Sequence, residues 1–131
     1  LVRESVIWTL FSSDLGKRMA AAQREGRLKK ESQFVIGIPA RQMGDFNSDE
    51  LVLVQGIIDA FFEEDGELVL VDYKTDYVEK EETLRERYGI QLDYYRRALM
   101  QMEKKRVKET VIYSFRLGEV RLQPEGSSQA R

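Results

Sequence analysis

The chain has 131 residues, 42% hydrophobic and 34% charged, with a formal net charge of −2, a length and balance that suit one domain with a single modest core. It contains no Cys and no His, which excludes disulfides, thiolate zinc sites, iron–sulfur clusters and imidazole catalysis; a metal site here has only oxygen ligands, pointing to magnesium, manganese or calcium. No apolar run approaches the ~18 residues of a membrane span and no secretory leader is visible, so the cytosol is the expected compartment, and the start at Leu1 suggests a segment of a longer polypeptide.

From Val6 to Gln23 apolar residues recur near helical spacing, and Ser12, Ser13 and Asp14 offer a cap at mid-segment, so one helix or two short ones are expected. Phe34 to Ile38 reads as a strand ending at Pro39, and the polar stretch Arg41 to Glu50 as a loop. Leu51 to Glu64 and Glu67 to Tyr73 are rich in valine and isoleucine and are separated by Asp65-Gly66, a strong hairpin signal. From Glu82 to Arg106 the stripe Leu84, Tyr88, Leu92, Tyr95, Leu99 and Met102 predicts a long helix, interrupted once by Gly89. Val111 to Phe115 and Glu119 to Leu122 read as further strands, and residues 123–131 as a flexible tail.

Charge is unevenly placed along this order. Between Arg85 and Lys108 eight basic residues face three acidic ones, which is either a solvated helix face or a surface for phosphates. On the second reading Arg96, Arg97, Lys104 and Lys105 would bind nucleic acid without reading bases, in a salt-sensitive way.

The hairpin fixes which side chains meet. A two-residue turn at Asp65-Gly66 pairs Glu64 with Glu67 and, five steps back, Asp59 with Asp72. Their Cβ atoms would lie about 4.5–5.5 Å apart on one face, with Lys74 on that face roughly 6.6 Å further along and Ile57 opposite it. A three-residue loop would send Asp59 to the other face. Opposed carboxylates between apolar neighbours, Ile57-Ile58 and Leu68 to Val71, repel each other unless something positive joins them. A divalent cation resolves this; the alternative is that one Asp pairs with Lys74 while the other faces water.

Three elements in order, Gly56-Ile57-Ile58-Asp59, then Asp72-Tyr73-Lys74-Thr75-Asp76, then Gln91-Leu92-Asp93-Tyr94-Tyr95, resemble the motif series of the PD-(D/E)XK nuclease superfamily in its RecB branch. Leu15 to Met19, Glu31 to Phe34 and the hairpin extend the resemblance to AddA-type helicase-nuclease subunits over most of residues 11–117. The resemblance implies an α/β fold of restriction-endonuclease type, a central mixed β-sheet of four or five strands flanked by helices, over residues 1–122. It implies a metal-dependent DNA nuclease working in double-strand break processing, in a bacterial cytoplasm and away from any membrane. The partners it implies are DNA, the helicase portion of the parent chain and an AddB-like subunit. Asp59, Asp72 and Lys74 would be catalytic, Asp59, Asp72 and the Tyr73 carbonyl would hold Mg2+, with Mn2+ as a substitute, and Gln91, Tyr95 and Arg96 would lie along DNA. Glu31 could also approach the site. Relatives often place a His or Glu ligand on an upstream helix, and this chain has no His, so a non-catalytic module that docks DNA or a partner subunit is the second reading. The later strand is expected beside that of Asp72, parallel through a right-handed helical crossover, leaving the carboxylates at the sheet's edge in a cleft bordered by the Gln91 helix.

Overall fold

A computed structural model describes residues 10, 12–44, 47, 49–76, 80–114 and 116–122. Helix α1 (Asp14–Arg24) leads into β1 (Leu28–Pro39), a 3-10 turn (Ala40–Met43), β2 (Leu51–Glu64), β3 (Glu67–Lys74), α2 (Glu81–Glu103), β4 (Val107–Ser114) and β5 (Gly118–Leu122). The five strands form one sheet in the order β1-β2-β3-β4-β5, all neighbours antiparallel except β3 and β4. This is the mixed, helix-flanked α/β sheet expected, with the parallel pair at the place expected. The tail expected to be flexible, residues 123–131, and the segment before Leu10 lie outside the described residues.

Local chemistry sets the element ends. Ser13 caps α1, its hydroxyl accepting the Gly16 N–H at 3.0 Å, which satisfies one of the free donors of the first turn. Asp65 and Gly66 both have positive φ, 55° and 80°, the backbone of the two-residue turn that matches strand twist. Helix α2 runs through Gly89 and stops at Glu103, because Lys104 takes a left-handed conformation and donates its N–H to the Met100 carbonyl at 3.0 Å; the expected extension to Arg106 is thereby cut short. Strand β1 begins at Leu28, six residues before the periodic stretch, because Leu28 to Lys30 and Ser32 already pair with β2. The loop expected at Arg41 opens with the 3-10 turn, and β4 starts at Val107, where pairing with Leu68 begins.

The helices cover opposite faces of the sheet. Leu15, Met19 and Ala22 of α1 bury Ala60, Phe62, Val69, Val71, Val111 and Tyr113. On the other face Ala98 and Leu99 of α2 meet Phe34, Ile36, Ile58, Leu68 and Leu70, while Leu84 and Leu92 cover Ile112 and Val120. Each fully buried side chain of this kind contributes about 1.5–3 kcal/mol.

These clusters reveal a switch in the β1–β2 ribbon. Leu28, Ala60 and Phe62 join the α1 side, yet Phe34, Ile36 and Ile58, at the same alternation, join the α2 side. Residues two apart keep to one face of a regular strand, so both strands change faces between the sets. The change falls at Glu31, held at φ 50°, and at Asp59 across from it, the position skipped between the pairs Lys30–Ala60 and Ser32–Ile58. The irregularity therefore sits where one of the candidate carboxylates is mounted.

Candidate active site

Strands β2 and β3 pair in the register derived from the turn, from Glu64–Glu67 to Ala60–Val71. Beyond that pair β2 peels away with β1 and the ladder ends. Asp59 stands at the fork, and its Oδ2 accepts the Tyr73 N–H at 2.8 Å, replacing the lost strand partner. Ile57, expected opposite Lys74, instead pairs with Gln33 on the departing ribbon and is half exposed. The expectation of carboxylates at the sheet's edge is also corrected: β3 is the central strand and β2 is interior, so the site lies at the end of inner strands, where the fork opens the sheet.

Asp72 is 4% exposed. Its Oδ2 lies 3.1 Å from the Lys74 ammonium and, among the described residues, has no aligned hydrogen-bond partner; by distance the contact is an ion pair, but its angle is not that of a hydrogen bond. Burial pushes the Asp72 carboxyl up to about 6, Lys74 opposing and the nearby Asp59 charge adding to the rise. Burial alone would lower the Lys74 ammonium, but Asp72 outweighs it and holds the lysine above its usual range. An ion pair between one aspartate and Lys74 is thus present, yet Asp59 does not simply face water: it is half-buried and bonded to the Tyr73 backbone.

Helix α2 closes one side. The Tyr95 ring meets Phe34 edge to face, with centroids 5.1 Å apart, and its hydroxyl receives a long hydrogen bond from Gln91 at 3.4 Å. A Cβ on Gly56 would come within 3.0 Å of Phe34 and 3.1 Å of the Tyr95 oxygen, so glycine there lets the helix approach. Burial, with Asp72 next, raises the Tyr95 phenol. The structure therefore brings Asp59, Asp72, Lys74, Gln91 and Tyr95 into one region.

Other candidates are placed differently. Arg96 donates twice to Asp93, at 3.1 and 2.7 Å, and Arg97 lies 3.1 Å from the same carboxylate. Lys105 pairs with Glu63 at 2.7 Å. Much of the basic run is thus matched within the chain. Glu31 stands across from Asp59 in register, but its side chain is exposed. A cleft of about 640 Å³ runs past Arg85, Gly89, Asp93 and Arg96 and is lined by none of the residues around Asp72. Two residues absent from the sequence-based site join it: Tyr88, whose ring centroid is 4.1 Å from the Lys74 ammonium, and Asp76, which accepts the Tyr88 hydroxyl.

The donor set fits a divalent cation that prefers oxygen. Two carboxylates converge, and a buried carboxylate oxygen lacks a hydrogen bond, an arrangement that positive charge relieves. Among the described residues no group of three or more His, Cys, Asp or Glu side chains is placed to hold a metal ion.

Comparison with known proteins bears on the same residues. A family model described as the PD-(D/E)XK nuclease superfamily matches residues 5–130. An ATP-dependent helicase/nuclease subunit from Lachnoclostridium phytofermentans is 41% identical, the match covering 86% of this chain and 11% of the relative. Its counterpart in Acetivibrio thermocellus is 45% identical over 80% of this chain and 9% of the relative, and that in Clostridium botulinum strain Loch Maree is 43% identical over 79% and 8%. The chain spans about a tenth of the length of these curated relatives.

Proposed function

Because the chain belongs to the PD-(D/E)XK nuclease superfamily, we propose that it is a metal-dependent deoxyribonuclease module whose centre is formed by Asp59, Asp72 and Lys74. The observation that carries this reading is the buried Asp72 carboxylate, set beside Asp59 and Lys74 with one oxygen lacking a hydrogen bond. Asp59, Asp72 and the Tyr73 carbonyl would hold Mg2+ or Mn2+. In support, the Tyr73 N–H points to Asp59, and in an extended strand a residue's carbonyl projects to the same side as its N–H. The chemistry that a bound divalent cation supplies to phosphodiester hydrolysis is polarisation of the phosphate and acidification of water.

The protein's own groups do the rest. Asp72 holds Lys74 charged, and the ammonium orients the attacking water or offsets charge on the pentavalent phosphorus. Gln91 and Tyr95 border the place where a strand would lie, and Arg96, its charge shared with Asp93, adds a weaker phosphate contact. As part of a longer helicase-nuclease the module would process DNA ends at double-strand breaks for recombinational repair, in a bacterial cytoplasm. Its protein partners would be the helicase portion of the parent chain and an AddB-like subunit. Among the described residues no helix is long and apolar enough to cross a membrane.

A second reading, a non-catalytic module that docks DNA or a partner subunit, is favoured by one observation: the described residues hold no cluster of three acidic ligands. Cleavage of end-labelled single-stranded DNA with Mg2+ or Mn2+ separates the two. Metal-dependent cutting should fall by about 10²–10³-fold or more in Asp72→Ala and Lys74→Ala; equal cutting by all three proteins would remove this site, and no cutting by any of them or by a chain extended upstream would leave the docking module.

A further inference from the structure

Lysine at a reacting centre poses a positioning problem. Its four-carbon stem carries about 2 kcal/mol of rotamer freedom and its ammonium has no preferred plane of approach. A single ion pair 3.1 Å away at Asp72 leaves the head free to swing around the carboxylate. In this fold a second group meets it from helix α2: the Tyr88 ring, with its centroid 4.1 Å from the ammonium, close enough for a cation–π contact.

Tyr88 is itself fixed. Its hydroxyl donates to Asp76 Oδ2, which also accepts from Arg87 at 2.7 Å. Asp76 follows Lys74 by two residues, just beyond the end of β3, whereas Tyr88 and Arg87 belong to the second turn of α2. The hydrogen bonds therefore staple the segment leaving the lysine to the helix that carries the ring. Asp76 closes the Asp72-Tyr73-Lys74-Thr75-Asp76 motif, and neither the cation-holding pair nor the lysine chemistry accounts for it. The staple does.

We propose that Tyr88, braced by Asp76, is a positioning residue that holds the Lys74 ammonium over the carboxylate pair. The inference deepens the nuclease reading and rests on it for its catalytic meaning, but the brace itself is measurable without activity. Fixing a reacting group within about an ångström is worth up to about 100-fold in rate. A phenylalanine would keep the ring but lose its tether, so the hydroxyl and Asp76 carry the distinctive part of the device.

The test combines NMR with kinetics on the 131-residue chain. With 13C-lysine labelling, and Lys74→Arg to assign the signal, the Lys74 Cε protons should be shifted upfield of the other lysines by the ring. The shift should vanish in Tyr88→Leu and shrink equally in Tyr88→Phe and Asp76→Ala, while the remaining lysine signals stay in place and report an intact fold. In cleavage assays Tyr88→Leu should lower kcat about 10- to 100-fold with KM for DNA unchanged, and Tyr88→Phe should fall between it and the parent. An unshifted Lys74 signal in the parent chain, or a cutting chain whose kcat is indifferent to Tyr88→Leu, would overturn the brace. If neither the parent nor a chain extended upstream cuts but the shift is present and lost in Tyr88→Leu, the brace stands and only the nuclease reading fails.

Discussion

Two clusters of acidic and basic side chains sit on this sheet, one around Arg18 and one around Lys74, and they differ in what balances them. The Arg18 guanidinium binds Glu64 through two nitrogens at 3.0 and 2.8 Å and Glu109 through two at 3.2 and 2.7 Å. Lys108 adds a contact to Glu64 at 3.0 Å and Arg121 one to Glu109 at 3.2 Å. Hydrogen bonds from Arg18 hold the Glu64 carboxyl down at about 2, as expected where every acceptor has a charged donor. Around Asp72 the sign is reversed: burial drives the carboxyl up to about 6 although a lysine is beside it. The first cluster is complete in itself and ties α1 to β2 and β4. The second is short of positive charge, and perturbed carboxylates of this kind gather at functional sites.

Breaking the incomplete cluster should therefore stabilise the metal-free protein. The Asp72 carboxyl binds its proton more tightly folded than unfolded, so the associated stability is present below about 3.8 and is lost as pH rises through about 6. A shift of that size corresponds to about 3 kcal/mol, and Asp72→Asn should recover much of it at pH 7 in chelator while changing little at pH 3.5, read from denaturant unfolding curves. Breaking the complete cluster should do the opposite: Arg18→Met should cost about 1–3 kcal/mol. Glu64 contributes stability that is fully present above its ordinary 4.5 and lost as pH falls toward about 2, so the cost of Arg18→Met should be full above pH 4.5 and shrink as pH falls toward about 2. The smallest effect is expected at Arg96, whose charge is already met within the helix by Asp93, a carboxylate it shares with Arg97. Arg96→Ala should weaken DNA binding by less than about 1 kcal/mol, whereas a large loss in a binding isotherm would place Arg96 with Lys74 and not with Arg18.

The sequence was most legible where local rules coincide. Asp65-Gly66 dictated a two-residue turn, and the turn alone set the register from Glu64–Glu67 to Ala60–Val71; the expected direct pairing of Asp59 with Asp72 fails one step later, where the ladder ends and Asp59 accepts the Tyr73 N–H. The long helix and the parallel β3–β4 pair followed from the periodic stripe and from the handedness of crossovers. Three features were hidden for physical reasons. Leu28 to Ser32 is largely polar and becomes strand only because β2 supplies its hydrogen bonds. The face switch at Glu31 and Asp59 leaves no periodic signal, since the same alternation continues while the faces exchange. The Tyr88–Lys74 contact depends on how α2 docks; Tyr88 stood on the apolar stripe and gave no sign that its ring would meet a cation. In the basic run helical spacing already places Asp93 beside Arg96 and Arg97, but it does not reveal Glu63, which reaches Lys105 from β2.

The central claim, that Asp59 and Asp72 form a cation site, is tested most directly by Mn2+ binding at pH 7, followed by calorimetry and electron paramagnetic resonance, in the parent chain and in Asp72→Asn and Asp59→Asn. The account predicts saturable binding in the parent that weakens sharply in both variants and that tightens as pH rises through about 6, where Asp72 gives up its proton. Binding of equal strength in all three proteins, or none in the parent up to millimolar Mn2+, would contradict it.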